Sequence, residues 1–88
     1  MNIEDIKSQI VVNIYNIPSD KKVPLHKHDK HYEIFYCIKG DGFGVLEDGE
    51  IELAAGKVFN VPAGVLHSLR SDSELYVASF LIPVIGGK

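Results

Sequence analysis

His26, His28, Glu33 and His67 are the residues of this chain whose types and spacing can do chemistry together. His26 and His28 stand at i and i+2, so on a β-strand both imidazoles leave the same face. Glu33 follows in the next run of residues, and His67 lies 34 positions beyond it. Three imidazoles and one carboxylate converging on a point would hold one divalent ion. Neutral imidazole suits Zn, Cu, Fe and Ni, and a carboxylate oxygen extends the choice to Mn. The expected cofactor is therefore one divalent metal ion per chain, drawn from Fe, Mn, Zn, Ni or Cu.

The elements that must carry these side chains read as strands. Ile3, Ile6 and Ile10 can line one side of a short N-terminal helical turn, with Asn2 as its cap. From Gln9 onward the chain consists of short β-rich runs cut by turn chemistry. The expected strands are Ile10–Ile17, Lys22–His28, Tyr32–Lys39, Gly42–Glu47, Glu50–Leu53, Lys57–Val61, Val65–Ser71 and Glu74–Ile82. Pro18-Ser19-Asp20 and Gly40-Asp41-Gly42 are turn formers, and Asp48-Gly49 is a two-residue hairpin signal because both positions tolerate positive φ. Pro62-Ala63-Gly64 should stop a strand, since proline cannot donate to a ladder. Short strands at this spacing predict an all-β, antiparallel sandwich or barrel. With no repeat or linker in 88 residues, positions 1–88 read as a single domain.

Alternation sharpens the candidate site. If Lys22–His28 is a strand, Asp29-Lys30-His31 turns the chain and Tyr32–Lys39 returns antiparallel to it. Glu33 then shares a face with Phe35 and Cys37, both suited to an interior. A carboxylate at the head of an apolar face needs a partner, because burying an ionised group alone costs several kcal/mol. A cation held by neighbouring imidazoles supplies one.

Composition narrows the function classes. A net charge of −3, with no basic tract, excludes nucleic acid as the expected partner. No apolar run approaches the roughly 20 residues of a membrane span. The start, Met1-Asn2-Ile3-Glu4-Asp5, lacks the basic and apolar segments of a signal peptide, so a cytoplasmic location is expected. A single cysteine, Cys37, excludes an internal disulfide and a thiolate zinc cluster.

The pattern His26-x-His28, four residues, Glu33, six residues, Gly40 resembles the first signature of the cupin superfamily. Gly56, five residues, Pro62-x-Gly64, two residues, His67 resembles the second. The stretch Gly42 to Ala55 between them is similar to the short intermotif hairpin of the smallest cupins. The likeness implies a conical antiparallel barrel, a double-stranded β-helix or jelly roll, with His26, His28, Glu33 and His67 gripping a metal inside. Two positions depart from the pattern: Asp20 stands where the first signature usually begins with glycine, and Ser71 where the second often ends with asparagine. Neither departure removes a ligand.

His31, between the ligand-bearing runs, reads as a solvated turn residue, with a base behind the ligands, a lid contact or a substitute ligand as the other readings. Cys37 lies about 13 Å beyond Glu33 at ~3.3 Å per residue, and reads as a small buried hydrophobe rather than a ligand. Gly40, Gly42 and Gly44 precede a strand rather than a helix, which argues against a phosphate cradle.

Three neutral imidazoles, one carboxylate and a divalent ion sum to about +1, which favours anionic ligands. Four protein ligands leave positions open for a small molecule, as in a reactive rather than a structural site. The resemblance implies a metal-dependent enzyme of dioxygenase, decarboxylase, isomerase or lyase type, acting on a small organic molecule. The alternative is a metal- and small-molecule-binding or sensing module without turnover. The two-faced run Ile10–Tyr15 and the apolar tail Leu81–Ile85 ask for cover, so a homodimer is expected.

Overall fold

A computed structural model describes residues 2–85. One short helix, α1 (Ile3–Gln9), precedes six strands: β1 (Val11–Pro18), β2 (His31–Leu46), β3 (Gly49–Ala54), β4 (Val58–Val61), β5 (His67–Arg70) and β6 (Glu74–Pro83). Asn2 caps α1 as expected. Its side chain accepts from the Asp5 amide while the Asp5 carboxylate accepts from the Asn2 amide. The helix buries no residue, and Ile3 stays 71% exposed.

The organising element is β2. Its first half pairs antiparallel with β6 on one side and β4 on the other, and β1 extends that sheet by pairing with β6. Its second half pairs with β3 and β5 in the other sheet. Ile17, Phe35, Cys37, Leu53, Phe59, Val61, Leu69, Leu75 and Val77 from both sheets form one buried cluster. The result is a closed antiparallel β architecture, as the alternation of apolar residues predicts. Among the described residues no helix is long and apolar enough to cross a membrane.

Three expectations are corrected. Gly40-Asp41-Gly42 does not separate two strands. The chain passes through it as continuous strand, with a bulge between Cys37 and Lys39 and Asp41 paired to Ala54. Gly40 takes φ +83°, and a Cβ there would collide with the Glu74 carbonyl oxygen, so this glycine bends β2 from one sheet into the other. Lys22–His28 does not form a regular strand or a hairpin with β2. Pro24 interrupts its ladder, and one isolated bridge, His26 to His67, lays the segment beside β5. The hairpin turn falls one residue earlier than Asp48-Gly49: Leu46 pairs with Gly49, leaving Glu47 and Asp48 as the loop, and neither adopts positive φ. These differences reduce eight expected strands to six without moving the interior face of β2.

Candidate metal centre

Glu33 is the second interior position of β2 after His31, and it is 4% exposed, on the same face as buried Phe35 and Cys37. Its carboxylate is held from three sides. His67 Nε2 lies 2.8 Å from Oε1, His28 Nε2 lies 3.3 Å from the same oxygen, and Ser79 donates its hydroxyl to Oε2 at 2.5 Å. His67 reaches Glu33 from β5 and Ser79 from β6, whereas His26 and His28 come from the extended segment beside β5. That segment is fixed by two backbone bonds between His26 and His67 and by the Gly64 amide donating to the His28 carbonyl. The imidazoles form a tight triangle, with ring centroids 4.4 to 5.6 Å apart.

The rings are oriented from behind. His67 Nδ1 bonds the Val65 carbonyl at 2.8 Å and His26 Nδ1 bonds the Pro24 carbonyl at 2.9 Å. A carbonyl only accepts, so both Nδ1 atoms carry a proton and each Nε2 faces the cluster. Without metal, His67 Nε2 must also be protonated to bond the Glu33 carboxylate. Burial alone would lower the His67 pKa, but the bonds to Glu33 and Val65 and the Glu33 charge outweigh it and hold it above its ordinary value. For Glu33 burial alone would raise the pKa, yet the bonds from His67 and Ser79 and the charges of His67 and His28 push it below the ordinary carboxylate value.

The donor set fits a metal ion. Two ligand atoms at ~2.1 Å from one ion are separated by about 3.0 Å at a right angle and by at most about 4.2 Å. One candidate atom from each of His26, His28, Glu33 and His67 lies within 4.8 Å of the others. The spread exceeds the limit by about 0.6 Å, which side-chain adjustment on binding covers. These residues could therefore hold one metal ion. An apolar wall backs the site: Phe35 lies 5.9 Å from the His67 ring and stacks on Phe59. His26, His28 and Glu33 line a cavity of about 240 Å³ that opens beside them.

The four residues singled out by spacing thus come together. His31 does not join them; it opens β2 as a half-buried strand residue opposite Pro83 rather than sitting in a turn. Cys37 is fully buried, and its thiol is pushed up by that burial, in keeping with a packing role. Ser79 was not foreseen. Its signal is a hydroxyl at the interior parity of β6, where Leu75, Val77 and Leu81 are apolar.

The family model for the cupin domain matches residues 13–83. The chain belongs to the cupin family. Over 66 residues it is 35% identical to a quercetin 2,3-dioxygenase from Bacillus subtilis (strain 168), covering 75% of this cupin and 20% of that enzyme. Over 55 residues it is 31% identical to an oxalate-binding protein from Thermotoga maritima, covering 62% and 46% of the two chains. It therefore spans less than half the length of either relative. Among solved structures, a predicted oxalate decarboxylase from Thermotoga maritima superposes with a TM-score of 0.81 at 23% identity, covering 96% of this cupin and 76% of that chain. A cupin protein from Bacteroides fragilis superposes with a TM-score of 0.77 at 25% identity, covering 90% and 71%. The shared architecture is the cupin barrel.

Proposed function

We propose that this cupin is a metal-dependent enzyme acting on a small anionic organic molecule, with His26, His28, Glu33 and His67 as the ligands of one divalent ion. The observation that carries the reading is the convergence of His28 and His67 Nε2 on one oxygen of a buried carboxylate at the wall of a cavity. The bound ion would supply Lewis acidity or redox chemistry. The chain's own residues orient the imidazoles, keep Glu33 ionised and shield one side of the site with Phe35. The reaction type belongs to this proposal: a dioxygenase, decarboxylase or isomerase reaction in which the ion carries most of the chemistry.

Elemental analysis of protein purified without chelators or nickel resin tests the site. One metal per chain is expected, falling to background when His28→Ala and His67→Ala are combined; unchanged content would reject it. Oxygen uptake and carbon dioxide release with panels of small organic acids then test turnover. The likeness to an oxalate-binding protein favours a second reading, in which ligand is held without turnover. Saturable binding by a metal-loaded protein that consumes nothing in those panels would select it.

Residues 1–88 are proposed as one domain and a homodimer as its working state. The outer face of the larger sheet is apolar across four strands, with Val12 beside Phe80 and Ile34, and Ile14 beside Ala78, Tyr36 and Val58. Ile14 is 63% and Val12 56% exposed, an apolar area broad enough to ask for cover. Sedimentation at high micromolar concentration should give a dimer, and a monomer there would remove this part. A cytoplasmic location completes the proposal, and cell fractionation tests it.

A further inference from the structure

The cavity beside the candidate metal centre has a chemically mixed lining. His26, His28 and Glu33 of that centre form part of it. Ile17, Val23, Phe35, Leu69 and Leu81 give it apolar walls, and Tyr15 adds an aromatic ring with a neutral phenol. The remaining polar groups differ in availability. Ser68 already donates its hydroxyl to the Val23 carbonyl at 2.7 Å, so it has no proton to offer a ligand. Lys21 is the one cationic side chain on the wall apart from the histidines.

Lys21 is placed by the turn that follows β1, its amide donating to the Pro18 carbonyl at 3.1 Å. It stands five positions before His26, so the backbone can carry it up to about 17 Å from that proposed ligand. Among the described residues no carboxylate pairs with it, whereas Lys7 and Lys27 lie 3.7 Å from Glu4 and Asp29. An ammonium without a counter-charge, in a largely apolar cavity whose other polar groups outside the candidate centre are neutral, attracts an anionic group brought there by a ligand. At about 240 Å³ the cavity falls below the ~300–1,000 Å³ of pockets for drug-sized ligands, so its occupant is compact.

We infer that the cavity takes a compact organic acid with an apolar body and two separated anionic groups, one directed to the metal and the other to Lys21. The inference rests on the metal reading above and adds to it a substrate class and a specificity-determining residue. It distinguishes the occupant from a bodiless dianion, which cannot cover the apolar walls. It also distinguishes it from a simple monoacid, which leaves Lys21 without a partner.

The test uses the full chain loaded with cobalt(II), following the visible absorption of the ion and the heat of binding. The probes are benzoate, with a body and one charge; isophthalate, with a body and two charges; and oxalate, with two charges and no body. Isophthalate should bind tightest. Lys21→Gln should weaken isophthalate about five- to tenfold and leave benzoate within about twofold, while Lys22→Gln, outside the cavity, leaves all three unchanged. Lys21 is exposed, so the variant keeps the fold, and its cobalt content should stay at the native value. If the loaded protein shows the same isophthalate-to-benzoate ratio with and without Lys21, or prefers oxalate, the inference falls while the metal reading stands. A chain that takes up no cobalt overturns both.

Discussion

Replacing Ser79 with alanine tests how far the proposed metal centre depends on a residue outside the proposed ligand set. The Ser79 hydroxyl is fully buried and donates to Glu33 Oε2 at 2.5 Å, while Oε1 meets both His28 and His67. Alanine removes that donor and leaves half of an ionised, 4%-exposed carboxylate without a partner. Hydrogen bonds to charged groups contribute about 1.5–3 kcal/mol, and no water-sized space is created by losing one oxygen. For a domain of this size each kcal/mol moves the melting temperature by about 4–8 °C, so metal-free Ser79→Ala should melt roughly 6–24 °C lower. A carboxylate freed to rotate is also a poorer ligand, and loss of such a support typically lowers metal affinity about 10–100-fold. Thermal melts of the metal-free protein and competition with a chromophoric chelator read the two effects separately. A variant that melts within 2 °C of the native protein (against the ~6 °C minimum) and binds metal within twofold would refute the assignment of Ser79 as the group that fixes Glu33.

Four further outcomes follow from the same structure. In the metal-free protein the lowered Glu33 pKa contributes stability above the ordinary value of 4.5, lost as pH falls through the lowered one. The raised His67 pKa contributes below the ordinary 6.5, lost as pH rises through the raised one. Metal-free melts should therefore peak between those two ordinary values. Zinc, which requires neutral His67, should raise the melting temperature more at pH 8 than at pH 6; a zinc effect flat across that range would count against His67 as a ligand. Gly44→Ala places a Cβ 2.5 Å from the Phe59 ring, and should destabilise by about 1–3 kcal/mol in chemical denaturation, an unchanged midpoint arguing against this packing. Ile14→Asp, on the apolar outer face, should convert a dimer to a monomer in sedimentation without changing metal content; a dimer that survives places the interface elsewhere.

The site was more legible in the sequence than the strands that carry it. His26, His28, Glu33 and His67 combine residue type with spacing, and alternation along Tyr32–Cys37 alone puts Glu33 on the interior face. Strand boundaries were harder to read because glycine and proline have two readings each. Gly40 signals a turn, yet a long strand uses it to bend between sheets, and only the Glu74 carbonyl packed against it decides between them. Pro24 sits inside an otherwise strand-like run and reduces its pairing to one bridge. Ser79 escaped notice because a lone hydroxyl in an apolar strand has no meaning until its neighbour across the ladder is known. Here Phe35 is its register partner, and Glu33, two residues earlier, accepts its hydrogen bond.

The pairing of β1 with β6 brings residues 11–18 against 74–81. During synthesis, a chain that has emerged only as far as His67 already contains every proposed ligand. It still lacks the strand that flanks β2 along ten residues and anchors the glutamate. Assembly must wait until Glu74–Pro83 has emerged, so contacts distant in sequence set the pace of maturation. A truncation before Glu74 should leave the ligands present but unassembled, whatever ion is offered.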